Sequence, residues 1–192
     1  FSLFFGYLRM NTLYPIFIKT ENIQIVIIGG GKVATEKLHF ILKNSPNACI
    51  TLVATSIAEN IKTIANKSQT IVLKEKLFES MDLQNCHLVI AATNDNSMNQ
   101  SIYRLAKERN CLINVVDTPE YCDFYLGSIV TKGDLKIAIS TNGKSPTMSK
   151  RLREFFETIL PDSMDELILN LNSYRNTLKG NLEEKVNKLN EI

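Results

Sequence analysis

Residues 23–34 read Ile-Gln-Ile-Val-Ile-Ile-Gly-Gly-Gly-Lys-Val-Ala. The apolar, β-branched run predicts a strand, the three glycines predict a tight turn, and the residues after them begin a helical pattern. Gly29, Gly31 and Ala34 occupy the positions of the G-x-G-x-x-G/A pattern. That pattern needs a residue free to turn, a backbone that can approach a pyrophosphate, and a small residue where helix and strand pack. The stretch predicts dinucleotide binding, with an ordinary packed turn as the alternative.

The pattern of strand followed by helix repeats along the chain. Apolar runs predict further strands at 49–53, 70–73, 88–92 and 112–116, and helical spacing of apolar residues predicts helices between most of them. Strands alternating with helices at this spacing indicate a doubly wound parallel sheet of the α/β class. Ligands bind such sheets beyond the carboxyl ends of the strands.

Three strand ends are therefore candidates for function. After the second strand come Thr55 and Ser56, with no Asp or Glu to receive a ribose hydroxyl, so the choice between NAD and NADP stays open. The loop after the fourth strand, which contains Thr93 and Asp95, borders the nicotinamide or caps the next helix, and its composition favours the cap. After the fifth strand comes Asp117, which is either a general base at the mouth of the sheet or a turn residue.

The pattern changes beyond Pro119. Residues 128–131 and 135–140 predict an antiparallel hairpin, which an α/β domain does not need for its own closure, so we expect a dimerisation element. A helix beginning at Ser145 and Pro146 carries an apolar face, and a later helix, with a Ser163-x-x-Glu166 capping box, carries a stripe that we expect to be buried. Opposite the first apolar face lie three cations that either are solvated or meet a polyanionic substrate: Lys150, Arg151 and Arg153.

These boundaries predict a Rossmann-like domain over residues 10–126, a dimerisation region over 127–160 and a helical subdomain over 161–192. Residues 1–9 precede Met10, and we expect them to be upstream sequence.

The composition excludes several classes of protein. Of the 192 residues, 44% are hydrophobic and 22% charged, and the net charge of +2 gives no case for a nucleic-acid partner. The four cysteines are far apart, which is typical of reduced thiols in a cytosolic protein, and two histidines do not complete a metal site. No apolar run approaches the roughly 20 residues of a transmembrane helix. We expect a soluble, cytoplasmic protein without a bound metal or a membrane partner.

Five motifs occur in order along the chain: Pro15-Ile16-Phe17, the glycine loop at 29–34, Ala91-Ala92-Thr93-Asn94-Asp95, Asn114-Val115-Val116-Asp117 and Ser140-Thr141-Asn142-Gly143-Lys144-Ser145-Pro146. Together they resemble the precorrin-2 dehydrogenase family, the dehydrogenase part of siroheme synthases. The resemblance runs from Leu13 to about Lys179 and implies NAD-dependent oxidation of precorrin-2 to sirohydrochlorin by an interlocked homodimer.

The resemblance also implies roles for single residues. It makes Asp117 the catalytic aspartate, to which we assign the role of general base. It implies that the NAD cofactor lies against Gly29, Gly31, Lys32, Val33, Thr55 and Ser56. We also expect Thr93 and Asp95 to contact the cofactor. We expect the tetrapyrrole to contact Asn114 and, if the partner subunit brings their helix near the cleft, Lys150, Arg151 and Arg153.

Two alternatives stay open at this stage. Some relatives also insert ferrous iron, for which Asp117 would accept pyrrole protons and the macrocycle itself would be the ligand. A protein of another class, an NAD(H)-sensing regulatory Rossmann domain, would bind the cofactor without consuming it. Such domains usually keep the acidic residue after the second strand and do not need a carboxylate at Asp117.

Overall fold

The computed structural model describes residues 11–189, so the predicted upstream segment 1–9 lies outside the described residues. The chain divides into two compact units, with the boundary between Leu126 and Gly127. The hairpin and the C-terminal helices all belong to the second unit. None of the helices within residues 11–189 has both the length and the apolar character needed to cross a membrane.

The first unit is a five-stranded parallel sheet with helices on both faces, as the alternating pattern predicts. The strand order is β3-β2-β1-β4-β5, so the order reverses between β1 and β4, where doubly wound sheets bind their ligands. The strands are β1 Gln24–Ile28, β2 Cys49–Ala54, β3 Ile71–Glu75, β4 Leu88–Ala91 and β5 Leu112–Val115; the helices are α1 Lys32–Asn44, α2 Glu59–Ala65 and α3 Asn96–Glu108.

Alternate residues of the central strand β1 supply the two halves of the core. Ile25 and Ile27 face the side covered by α1 and α2, where Leu38 is fully buried. Val26 and Ile28 face the other side with Ile102 of α3. Burial of each such side chain contributes about 1.5–3 kcal/mol, which explains why β1 is apolar on both faces.

The chain covers the outer edge of β5 as it leaves the sheet. The backbone N–H of Ile113 donates to Oδ2 of Asp123 at 3.0 Å, and the N–H of Asp123 donates to the carbonyl of Ile113 at 2.7 Å. Lys107 pairs with the same carboxylate at 2.7 Å. These bonds occupy donors and acceptors that an open sheet edge would expose.

The second unit begins with the predicted hairpin, in which β6 Ser128–Lys132 pairs antiparallel with β7 Leu135–Ile139. Three helices follow: α4 Pro146–Ile159, α5 Met164–Thr177 and α6 Leu182–Leu189. Ser145 caps α4 as expected, accepting from the N–H of Met148 at 3.2 Å.

The sequence prediction for α5 is wrong in two respects. Ser163 precedes the helix but makes no side-chain capping bond, so the expected box with Glu166 does not form. The stripe on α5 is not buried either, since Leu167 remains 50% exposed and Leu171 37% exposed. A two-stranded hairpin with three helices provides too little apolar surface to cover every stripe. On α4, Phe155 is likewise 55% exposed.

Candidate functional site

The glycine loop lies at the point where the strand order reverses. Gly29 has φ +126°, a conformation that residues with a β-carbon rarely adopt. A β-carbon on Gly29 would also overlap the carbonyl oxygen of Ala92, at the end of β4. The N–H of Ala92 donates to the carbonyl of Ile28 at 2.8 Å, so the backbones of β1 and β4 stay in contact up to the loop. Only glycine fits at position 29.

Gly30 is required for a different reason, which the sequence pattern missed. A β-carbon there would overlap the carbonyl oxygen of Ser56, in the loop after β2. The carbonyl of Gly30 also accepts from the N–H of Ala58 at 2.9 Å. The backbones of the glycine loop and of the loop after β2 are therefore in direct contact. The run of three consecutive glycines, 29–31, is the sequence signal that could have indicated this contact.

Gly31 faces open space and begins α1. A β-carbon on Gly31 would meet no atom within 4 Å, as expected of a position kept clear for a ligand. Gly31 is the N-cap of α1 and provides no side-chain acceptor for the first N–H groups of the helix, those of Lys32 and Val33. Ala34 is fully buried where the helix meets the sheet. The local geometry has each feature of a phosphate-binding helix start.

Thr55 and Ser56 form the second wall of this site, and both are exposed. A residue that sequence reasoning missed holds their loop in place: Oε1 of Glu75, at the end of β3, accepts from the N–H of Ile57 at 3.1 Å. Oε2 of Glu75 lies 3.4 Å from Nζ of Lys62. The hydrogen bond from Ile57, and then Lys62, lower the pKa of Glu75. The loop after β2 thus has an acidic neighbour, although it comes from the adjacent strand.

The loop after β4 is a helix cap, which is the alternative that its composition favours. Oδ1 of Asp95 accepts from the N–H groups of Ser97 and Met98 at 2.9 and 3.0 Å, and from the hydroxyl of Ser97 at 2.5 Å. The Ser97 hydroxyl, followed by the N–H of Met98, lowers the pKa of Asp95. The Thr93 hydroxyl bonds to Oδ1 of the buried Asn99 at 2.6 Å. Both predicted cofactor residues are therefore held by hydrogen bonds to the start of α3.

Asn114, a predicted substrate contact, is buried in β5. Its amide donates to the carbonyl of Phe124 at 2.8 Å and lies 3.4 Å from Sγ of Cys122. These bonds join β5 to the segment that covers its edge. The Asn114 amide nitrogen thus holds the end of the sheet to this segment, and its contact with a substrate stays a prediction.

Asp117 is exposed and lies two residues beyond the end of β5. Its φ of +59° is a left-handed conformation that Asp and Asn tolerate better than most residues. The turn is closed by the N–H of Thr118, which donates to the carbonyl of Val115 at 3.2 Å. Beneath it, Sγ of Cys122 lies 3.2 Å from the same carbonyl, and burial raises the pKa of this thiol, which keeps it protonated as a donor. Non-glycine residues in this conformation cluster at functional sites.

The three predicted substrate cations lie on α4, in the second unit. Arg153 makes two bonds of 2.7 Å to the Glu157 carboxylate, one turn along the helix. Lys150 lies 3.8 Å from Glu154. Arg151 is exposed. Two of the three cations are thus paired within their own helix.

Comparison with known proteins gives two family matches. Residues 16–128 match the family described as putative NAD(P)-binding, which covers the sheet and the loops just described. Residues 132–158 match the family described as sirohaem biosynthesis protein central, which covers most of the hairpin and α4.

The similar sequences are siroheme synthases. Those of Nitrosococcus oceani and Psychrobacter cryohalolentis are 34% and 35% identical over 165 and 173 residues, which are 86% and 90% of this chain. The same regions are 35% and 32% of those relatives, so the chain spans about a third of their length. Among solved structures, the precorrin-2 dehydrogenase SirC is similar, with a TM-score of 0.71 and 26% identity over 94% of this chain and 89% of SirC.

Proposed function

This chain belongs to the precorrin-2 dehydrogenase family, and on that premise we propose that it oxidises precorrin-2 to sirohydrochlorin with NAD as the hydride acceptor, in sirohaem or cobalamin biosynthesis. The observation that carries the proposal is the glycine loop at the point of strand reversal, in the same sheet that presents Asp117 at the end of β5. The family match over residues 16–128 supports a nicotinamide cofactor. NAD rather than NADP is our proposal.

The residues present fit a dinucleotide. Gly29 and Gly30 let the loop pack tightly against Ala92 and Ser56, and Gly31 leaves open space in front of the first turn of α1. The N–H groups of Lys32 and Val33 would hold the pyrophosphate, and Thr55 and Ser56 would border the ribose. When bound, the nicotinamide would supply the hydride acceptor, and the chain would bind and orient the cofactor.

We propose that the Asp117 carboxylate takes the proton in this reaction. The oxidation removes two hydrogens from the tetrapyrrole, one as hydride and one as a proton, and the proton needs an acceptor. Asp117 is exposed at the carboxyl end of β5, two strands from β1 in the sheet order. The turn closed between Val115 and Thr118 fixes its backbone.

We propose that the carboxylates of the tetrapyrrole bind cations on α4. Arg151 is exposed, whereas Arg153 already pairs with Glu157, so Arg151 is the first of the three to test. An Arg151→Ala variant should raise the Michaelis constant for precorrin-2. An unchanged Michaelis constant for precorrin-2 would contradict the proposal that α4 contributes to the substrate site.

We further propose a homodimer formed through the second unit. Phe155 and Ile159 of α4, and Leu167 and Leu169 of α5, are each at least half exposed. Apolar side chains that recur along neighbouring helices mark an interaction surface.

The cysteines within the described chain are free thiols, which supports a reducing compartment such as the cytoplasm.

Anaerobic incubation with precorrin-2 and NAD tests the reaction, with NADH formation and the tetrapyrrole spectrum followed together. Stoichiometric NADH and sirohydrochlorin would support the dehydrogenase. Binding of NAD without turnover would favour the sensing domain. If iron enters added sirohydrochlorin without NADH formation, the chain is instead a chelatase.

A further inference from the structure

We infer that Glu75, at the end of β3, sets the preference of this site for NAD over NADP, in place of the acidic residue that the end of β2 lacks. The inference rests on the proposed function, because it concerns the ribose end of the same cofactor site. Glu75 lies outside the motifs that identify the site from sequence.

Glu75 belongs to the cofactor side of the sheet by its place in the fold. It pairs in register with Ala54, the last residue of β2. Thr55 and Ser56 follow immediately, at the position where doubly wound sheets place the adenosine ribose. The carboxyl ends of β2 and β3 thus lie side by side, and an acidic side chain from either strand can reach this loop.

Two adjacent N–H groups hold this loop. The N–H of Ile57 donates to Oε1 of Glu75 at 3.1 Å, and the N–H of Ala58 donates to the carbonyl of Gly30 at 2.9 Å. One bond fixes the loop to β3 and the other fixes it to the glycine loop. The Glu75 carboxylate is therefore held against the backbone of the loop after β2, which we call the ribose wall. The Glu75 side chain is 48% exposed to solvent.

The charge at this wall is negative. Lys62 lies 3.4 Å from Glu75 and 3.4 Å from Glu59, so two carboxylates surround one ammonium group. The group of three carries a net charge of −1, from two negative charges and one positive charge. NADP differs from NAD by a 2′-phosphate with close to two negative charges. Lys62, the cation beside Glu75, is already paired with both carboxylates, so the wall repels the 2′-phosphate of NADP and accepts the ribose hydroxyls of NAD.

Titration of the whole chain with NADH and with NADPH, followed by the fluorescence of each reduced cofactor, tests the inference without requiring turnover. Glu75→Gln removes the charge but keeps an oxygen that accepts from Ile57. Glu75→Ala removes both. Glu108→Gln is the matched control, because this substitution also removes one negative charge. Glu108 is the last residue of α3, which lies toward the opposite edge of the sheet.

The wild-type chain should bind NADH about tenfold more tightly than NADPH, and Glu75→Gln should reduce that ratio about five- to tenfold with NADH affinity almost unchanged. Glu75→Ala should show the same loss of preference together with weaker binding of both cofactors, and Glu108→Gln should keep the wild-type ratio. An unchanged ratio in Glu75→Gln would overturn the inference and leave the dehydrogenase proposal standing. A wild-type preference for NADPH would overturn the inference and the choice of NAD, but not the dehydrogenation itself. A wild-type chain that binds neither cofactor would overturn both.

Discussion

A β-carbon on Gly29 would overlap the carbonyl oxygen of Ala92, so the ends of β1 and β4 are in contact through backbone alone. This contact lies at the point where the strand order reverses, beside the proposed cofactor site.

Gly29→Ala should destabilise the protein and abolish cofactor binding. The φ of +126° at Gly29 strains any residue with a β-carbon, by about 1–3 kcal/mol, and the overlap with Ala92 adds to that cost. Thermal unfolding and NADH titration measure the two effects. Gly31→Ala is the control, since its β-carbon meets open space: it should unfold like the wild type while binding NADH more weakly. Equal stability of both variants would contradict the packed loop.

Asp117→Asn should fold normally and lose turnover. Asparagine tolerates the left-handed backbone at φ +59° but cannot accept a proton. A general base typically contributes about 10²–10⁴ in rate, so kcat should fall by that factor while NADH affinity stays the same. Asp117→Ala adds a backbone cost of about 1 kcal/mol. Full activity of the Asn variant would leave Asp117 as a turn residue only.

Asp95→Ala should lower the melting temperature through loss of the α3 cap. The bonds from Ser97 and Met98 lower the pKa of Asp95 in the folded state. The cap is therefore fully present above the ordinary pKa of an aspartate and is lost as the pH falls through the lower folded value. Melting curves of the variant and the wild type should converge in strong acid and separate at neutral pH. Asp95→Asn should retain most of the stability, because asparagine is also a good cap.

Cys86 should resist alkylation in the folded protein. Burial, together with the neighbouring Cys111, raises the pKa of Cys86 to about 12, and the thiolate is the reactive form. Iodoacetamide labelling at pH 8, followed by mass spectrometry, should modify Cys86 far more slowly in the native chain than in urea. Equal rates in both states would show that the N-terminal edge of β4 opens readily.

Phe155→Asp should convert the proposed dimer to monomer. Phe155 is 55% exposed on α4, and a charge placed there would have to be buried when two copies associate. Light scattering coupled to size exclusion gives the mass. Leu77→Asp, which places a charge at a 68% exposed leucine of the first unit, should leave the mass unchanged. A monomeric wild type would overturn the dimer proposal itself.

The parts of the fold that local sequence signals specify were predicted correctly. Strand β1, the glycine loop and α1 follow one another within 22 residues, from Ile23 to Asn44, and each has its own periodicity or turn residue. The alternation of strands and helices predicted the parallel sheet, and the hairpin was found with nearly the expected bounds. Ser145 was found as a cap because a cap acts over only three residues.

Contacts between distant residues depended on the tertiary structure. Glu75 reaches Ile57, and Gly30 meets Ser56, only because β3, β2 and β1 are neighbours in the sheet, an order that no local pattern contains. The same holds for the hydrogen bond from the Asn114 amide to the carbonyl of Phe124, in the segment that covers the edge of β5. Not every local signal held, since Ser163 precedes α5 without a side-chain capping bond. The α5 stripe stayed exposed because burial is decided by the apolar area that other elements offer, not by spacing along the helix. The sequence by itself determined the elements and the glycine loop; the packing of strands decided which side chains surround it.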